Sequence, residues 1–61
     1  MDEYFVDLRS KKELVITAAG HKTVKPWLIF LDDGGKEVAR FNIGDVEGYG
    51  LMSSRPGPSM G

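Results

Sequence analysis

Lys25-Pro26-Trp27-Leu28-Ile29-Phe30-Leu31-Asp32-Asp33-Gly34-Gly35-Lys36-Glu37-Val38-Ala39-Arg40-Phe41-Asn42-Ile43 is the stretch whose reading decides the fold. Its apolar block, Trp27 to Leu31, stands between a proline and an aspartate. The block is too short for a helix and has the length of a strand buried on both faces. Pro26 cannot donate a ladder hydrogen bond, which suits it to a strand's first residue. Asp33-Gly34-Gly35 supplies a tight hairpin turn, because glycine reaches positive φ without steric cost. Lys36 to Ile43 then reads as the partner strand. Ala39, Phe41 and Ile43 share one face, and Val38, Arg40 and Asn42 share a more solvated one.

Upstream, Tyr4 to Arg9 alternates: Tyr4, Val6 and Leu8 fall on one face, Phe5, Asp7 and Arg9 on the other. That is the pattern of a half-buried strand. Ser10-Lys11-Lys12 is a polar break of hairpin length. Glu13 to Ala19 follows as a second strand, with Leu14, Ile16 and Ala18 on one face. A short helix over 10–19, capped by Ser10 with Glu13 three residues on, is the alternative. The β-branched run Val15-Ile16-Thr17 favours the strand. Gly20 to Lys25 is polar and reads as a link, extended at most by Thr23 and Val24. Downstream, Val46, Tyr49 and Leu51, interrupted by Gly48 and Gly50, make a short kinked fifth strand. The expected fold is all-β: a four- or five-stranded antiparallel meander curled into an SH3-like or half-barrel form. Residues 1–52 form the single small β domain. Residues 53–61, with two prolines, two glycines and one isolated apolar side chain, read as a disordered C-terminal tail or expression scar.

The chain has 61 residues, no cysteine and one histidine. Disulfides are excluded, and a tetrahedral zinc site would have to be completed by carboxylates. Chains of this size commonly add a disulfide, a metal or a partner subunit. Self-association is the device left. A meander also leaves one face wet, whereas the third strand is apolar on both, so the sheet must curl over itself or be covered by another subunit. Met1-Asp2-Glu3-Tyr4 has no secretory n-region, and no apolar run approaches the ~20 residues that span a bilayer. The expected setting is cytoplasmic, away from membranes.

No catalytic, cofactor or metal motif emerges. His21 lies in a polar stretch with no hydroxyl tied to it by spacing, the acidic pair Asp32-Asp33 fits a turn, and Asp45/Glu47 falls in a kinked strand or bulge. The glycines of residues 44–50 lack the spacing of a phosphate loop. Charge, by contrast, is segregated. Arg9, Lys11, Lys12, Lys22 and Lys25 precede residue 26, whereas Asp32, Asp33, Glu37, Asp45 and Glu47 follow it. In a meander the first basic turn would neighbour Asp32/Asp33, and the second would neighbour Asp45/Glu47. The functional expectation is a non-catalytic module that binds protein, chiefly itself. Phe5, Trp27, Phe30 and Tyr49 are its candidate interface anchors, since aromatics dominate hot spots. The alternative is a small β-barrel that binds nucleic acid through Arg9, Lys11, Lys12, Lys22 and Lys25, with Tyr4 or Phe5 as stacking platform. The net charge of −1 counts against it.

Overall fold

The computed structural model describes residues 1–54, and the tail assigned to residues 53–61 lies, beyond Ser54, outside them. Six strands follow one another: β1 (Asp2–Leu8), β2 (Glu13–Ala18), β3 (Gly20–Val24), β4 (Trp27–Leu31), β5 (Glu37–Asn42) and β6 (Val46–Leu51). A 3-10 turn, Ile43–Asp45, joins β5 to β6, and a second, Met52–Ser54, follows β6. The all-β expectation is met. Residues 13–18 are strand and not helix, because β-branched side chains pair better across a ladder than they stack along a helix.

The strands do not form one meander. Sheet I has the order β2-β1-β6 and sheet II the order β3-β4-β5, all neighbours antiparallel. Strand β6 returns to β1, with Tyr4 opposite Leu51 and Val6 opposite Tyr49. The polar link expected over residues 20–25 is, as far as Val24, strand β3, one strand more than the sequence led us to expect. Its polarity misleads because β3 has a single ladder neighbour and most of its side chains stay wet. Only Ala19 separates β2 from β3, and its N–H donates to the Leu31 carbonyl at 2.7 Å, so one nearly continuous segment serves both sheets.

Two hairpin turns share one geometry. In the first, the Leu8 N–H donates to the Lys12 carbonyl at 2.8 Å and the Lys11 N–H to the Leu8 carbonyl at 2.9 Å. In the other, Asp32 N–H donates to the Lys36 carbonyl at 2.8 Å and Gly35 N–H to the Asp32 carbonyl at 3.0 Å. Each is a three-residue loop whose last member has positive φ, the form associated with a glycine bulge. Asp32 reinforces its own turn, its Oδ1 accepting from the Gly34 and Lys36 N–H groups at 2.9 Å each. The third hairpin turn is Lys25-Pro26, a cis peptide, and the proline stands one residue before β4 and not as its first residue. The Pro26 carbonyl accepts from the Ile43 N–H at 2.8 Å and ties that turn to the 3-10 segment.

Alternation sorts the side chains between the faces. Tyr4, Val6 and Ala18 of sheet I meet Leu28 and Phe30 of sheet II in one core, bordered by Leu8, Ile16, Ala39, Phe41, Val46 and Leu51. Phe30 is fully buried and stacks obliquely on Tyr4, ring centres 5.3 Å apart. Phe41 meets Phe30 edge-on at 6.1 Å.

Candidate functional site

One face of β4 is thus covered by sheet I. The other carries Trp27, Ile29 and Leu31, and it contains the candidate site. Lys22 and Arg40 stand opposite Ile29 on its two sides, and Val24 and Asn42 stand opposite Trp27. A bulge between Phe30 and Leu31 places Glu37 opposite Leu31 and leaves Val38 as the extra residue. Arg40 organises this outer face. Its Nε and Nη2 reach the Glu37 carboxylate at 2.7 and 2.6 Å, and its guanidinium carbon lies 5.2 Å from the Trp27 ring centre. The bidentate fork and the cation–π contact fix both ends of one planar group.

This arrangement answers how β4 can be apolar on both faces. Ile29 lies outside the core cluster, yet is only 6% exposed in the isolated chain. It lies between Lys22 and Arg40, whose aliphatic stems can cover an apolar neighbour while their charges reach water. Trp27 and Leu31 are half-buried and Val24 is 51% exposed, so coverage fades away from Ile29. Electrostatics agrees with the geometry. The Arg40 hydrogen bond, then its charge and that of Lys22, hold the Glu37 carboxyl below its ordinary range. Glu37 in turn holds the Arg40 guanidinium above its own, again chiefly through the hydrogen bond.

The candidate anchors fall in four different environments. Trp27 lies on the outer face of sheet II. Phe5 lies on the outer face of sheet I between Val15 and Gly50, half-buried, and an added Cβ at Gly50 would meet its ring at 3.3 Å. A ring laid over a glycine strand compensates for the missing side chains, so Phe5 has a structural task of its own. Tyr49 is 41% exposed and meets the His21 ring edge-on at 5.3 Å. Phe30 is core and offers no surface to a partner, because its alternation partner Leu28 and the facing Tyr4 draw that face of β4 inward. His21 is a strand residue opposite Phe30 and not a loop histidine. Its ring contacts those of Tyr4 at 5.6 Å and Phe30 at 5.8 Å as well as Tyr49.

The basic residues do not converge. Arg9 is held at the 3-10 turn, its N–H donating to the Asp45 carbonyl at 2.8 Å and its Nε to the Gly44 carbonyl at 2.7 Å. Lys11 approaches Glu47 at 3.7 Å, and both, with Lys12, Asp7 and Glu13, line a shallow depression at that end of sheet I. Lys22 and Lys25 belong to sheet II and its turn. The expected proximity of the first basic turn to Asp32/Asp33 gives way to proximity to Asp45/Glu47, because β6 and not β4 lies beside β1. Tyr4 is buried and unavailable as a stacking platform.

Sequence reasoning placed Arg40 on a solvated face but singled out neither it nor Val24 and Val15 as surface determinants. Arg40 had a signal: it alternates with Ala39 and Phe41, hence lies on the face opposite the core. Among the described residues, no group of three or more histidine, cysteine or acidic side chains stands close enough to hold a metal ion, and no helix is long and apolar enough to cross a membrane. Searches against protein families, curated proteins and solved structures found no match to this chain, so the site rests on its own geometry.

Proposed function

We propose that this protein is a non-catalytic interaction module that docks protein surfaces, a second copy of itself among them, through the outer face of sheet II around Trp27. The observation that carries this reading is the half-buried Trp27, stacked under Arg40 and beside the exposed Val24, on a strand whose other face is already core. Tryptophan and arginine are the residue types most enriched at interface hot spots. A guanidinium already oriented by Glu37 loses less freedom on docking than a free one would. The architecture we infer is SH3-like or half-barrel: a segment shared by both sheets at Ala19, a 3-10 turn before the last strand, and that strand returning to the first. A reducing, cytoplasmic setting fits a chain without cysteine.

Nucleic-acid binding is less well supported. The five basic residues are divided between two regions, and the aromatic nearest a stacking platform, Phe5, is surrounded by Glu3, Asp7 and Glu13.

Trp27 is the sole tryptophan, so its emission reports on the proposed surface directly. Light scattering from 10 μM to 1 mM, with emission recorded alongside, tests the reading. Growth in mass with a blue shift of Trp27 is expected, and Trp27→Ala should suppress the growth while the melting temperature stays within a few degrees. A monomer at every concentration, with fixed emission, would overturn self-association.

A further inference from the structure

The tip of the β4–β5 turn joins two residue types that react with one another. Among the aspartates and the one asparagine of the chain, only Asp33 is followed by a glycine. Asp33, Gly34 and Gly35 are all exposed. An aspartate before glycine is prone to ring closure, because a residue without a side chain lets its backbone nitrogen reach the preceding carboxyl. In that step the Gly34 nitrogen bonds to Cγ of Asp33, and the amide proton leaves with the carboxyl hydroxyl as water. The five-membered imide then takes water back at either carbonyl. Opening at Cγ restores aspartate. Opening at the main-chain carbonyl leaves the chain running through Cβ, with the α-carboxylate free. Nothing is oxidised or reduced, and water is the one co-reactant.

The nucleophile of that step is an N–H that the fold has already engaged. Gly34 N–H donates to Asp32 Oδ1 at 2.9 Å, and the same oxygen accepts from Lys36 N–H at 2.9 Å. Ring closure requires the Gly34 nitrogen to shed its proton and turn toward Cγ of Asp33. A carboxylate that accepts that N–H opposes both. It pins the peptide plane, and it sets a negative charge beside a nitrogen that must itself become negative.

We infer that Asp33-Gly34 is a site of isoaspartate formation, and that the carboxylate of Asp32 restrains it. Asp32 acts through the Gly34 nitrogen and takes no part in the bonds made and broken. The inference is independent of the docking surface around Trp27 and needs no partner.

The product does not fit this turn. Isoaspartate lengthens the main chain by one carbon inside a three-residue loop whose hydrogen bonds converge on Asp32: its N–H, its carbonyl and its Oδ1 are all engaged. Lys36 leads directly into Glu37, which holds Arg40 against Trp27. A rearranged tip therefore loosens the start of β5.

The experiment incubates the full chain in warm neutral buffer, once folded and once unfolded in urea. Isoaspartate is counted by an isoaspartate-specific carboxyl methyltransferase, which moves a radiolabelled methyl group from S-adenosylmethionine to the new α-carboxylate, and peptide mapping locates it. Label should appear at residue 33 and vanish in Asp33→Glu. The folded protein should gain it about tenfold more slowly than the unfolded chain, the factor carried by one hydrogen bond to a charged acceptor. Asp32→Ala, shown to be folded by circular dichroism, should gain label at close to the unfolded rate. Asp32→Asn keeps an acceptor oxygen and should keep most of the restraint. Should Asp32→Ala fail to fold, hydrogen exchange at the Gly34 amide of the unmodified protein decides instead, and it should be slowed relative to an unstructured peptide of the same sequence.

A folded Asp32→Ala that stays as slow as the unmodified protein would overturn the role of Asp32, as would an unprotected Gly34 amide. Equal rates in the folded and unfolded chain would show that the turn imposes no restraint. An unfolded chain that gains no label at residue 33 would remove the site itself.

Discussion

Lys11 and Gly35 occupy the same position in two turns of the same geometry, with φ of 74° and 81°. A left-handed backbone suits glycine and crowds the Cβ of lysine against its own carbonyl, at about 1 kcal/mol. Lys11→Gly should therefore stabilise the domain by about 1 kcal/mol, and Gly35→Ala should destabilise it by a similar amount. For a chain of this size each change amounts to about 4–8 °C in melting temperature. The contact of Lys11 with Glu47, at 3.7 Å between well-exposed groups, adds little to offset. Unchanged melting of Lys11→Gly would show that the turn relaxes without strain.

Phe30 and Trp27, three residues apart on one strand, should separate stability from association. Phe30→Ala removes a fully buried ring, at about 3–5 kcal/mol. At roughly 0.05–0.15 kcal/mol per residue a chain of 61 residues has about 3–9 kcal/mol in total, so the loss removes a large share of its stability. Trp27→Ala should retain the fold. Circular dichroism melts of the two variants check the contrast, and equal losses of stability would contradict the assignment of faces.

The two glycines of β6 should respond differently to the same change. Nothing lies within 4 Å of a Cβ added at Gly48, whereas one at Gly50 meets the Phe5 ring at 3.3 Å. Gly48→Ala should gain roughly 0.5–1 kcal/mol from the lower entropy of the unfolded chain. Gly50→Ala should fall short of that gain by the displacement of the ring. The shortfall should disappear when Phe5 is replaced by leucine, as measured by a double-mutant cycle in urea.

The Glu37–Arg40 pair predicts an acid-side signature. The folded carboxyl titrates below its usual value of about 4.5, so its contribution to stability is complete above that pH and is lost as pH falls through the lowered folded value. Stability curves of the unmodified protein and of Glu37→Gln should therefore run apart above about pH 4.5 and converge below it. Trp27 emission should change over the same acid range as Arg40 loses its anchor. Curves that stay parallel down to pH 2 would mean the pair is absent in solution.

Much of the strand pattern was legible because it is local. Trp27–Leu31 is bounded by Pro26 and Asp32, and the Asp33-Gly34-Gly35 turn announces itself in residue type. Which face of β4 is core was not legible: Leu28 and Phe30 are no more apolar than Trp27, Ile29 and Leu31, and the choice is made by Tyr4, more than twenty positions away. The division into two sheets was hidden for the same reason, since the pairing of Val6 with Tyr49 leaves no mark on either neighbourhood. The bend in the first hairpin is concealed by lysine standing where glycine is expected. In the candidate site, Trp27 could be singled out by type alone, but its coupling to Glu37 through Arg40 depends on the bulge at Val38, which alternation counting skips.

Because β1 and β6 run antiparallel, Asp2 and Ser53 line the same shallow depression. A few added residues would join them into a ring, and the chain could then be recut at the Asp33-Gly34-Gly35 tip without interrupting a strand. Such a circular permutant would place both new ends at the β4–β5 turn, making one β-unit of the former first and last strands. The same proximity lets the whole unit be inserted into a surface loop of another protein, entering and leaving through a gap scarcely wider than a hairpin.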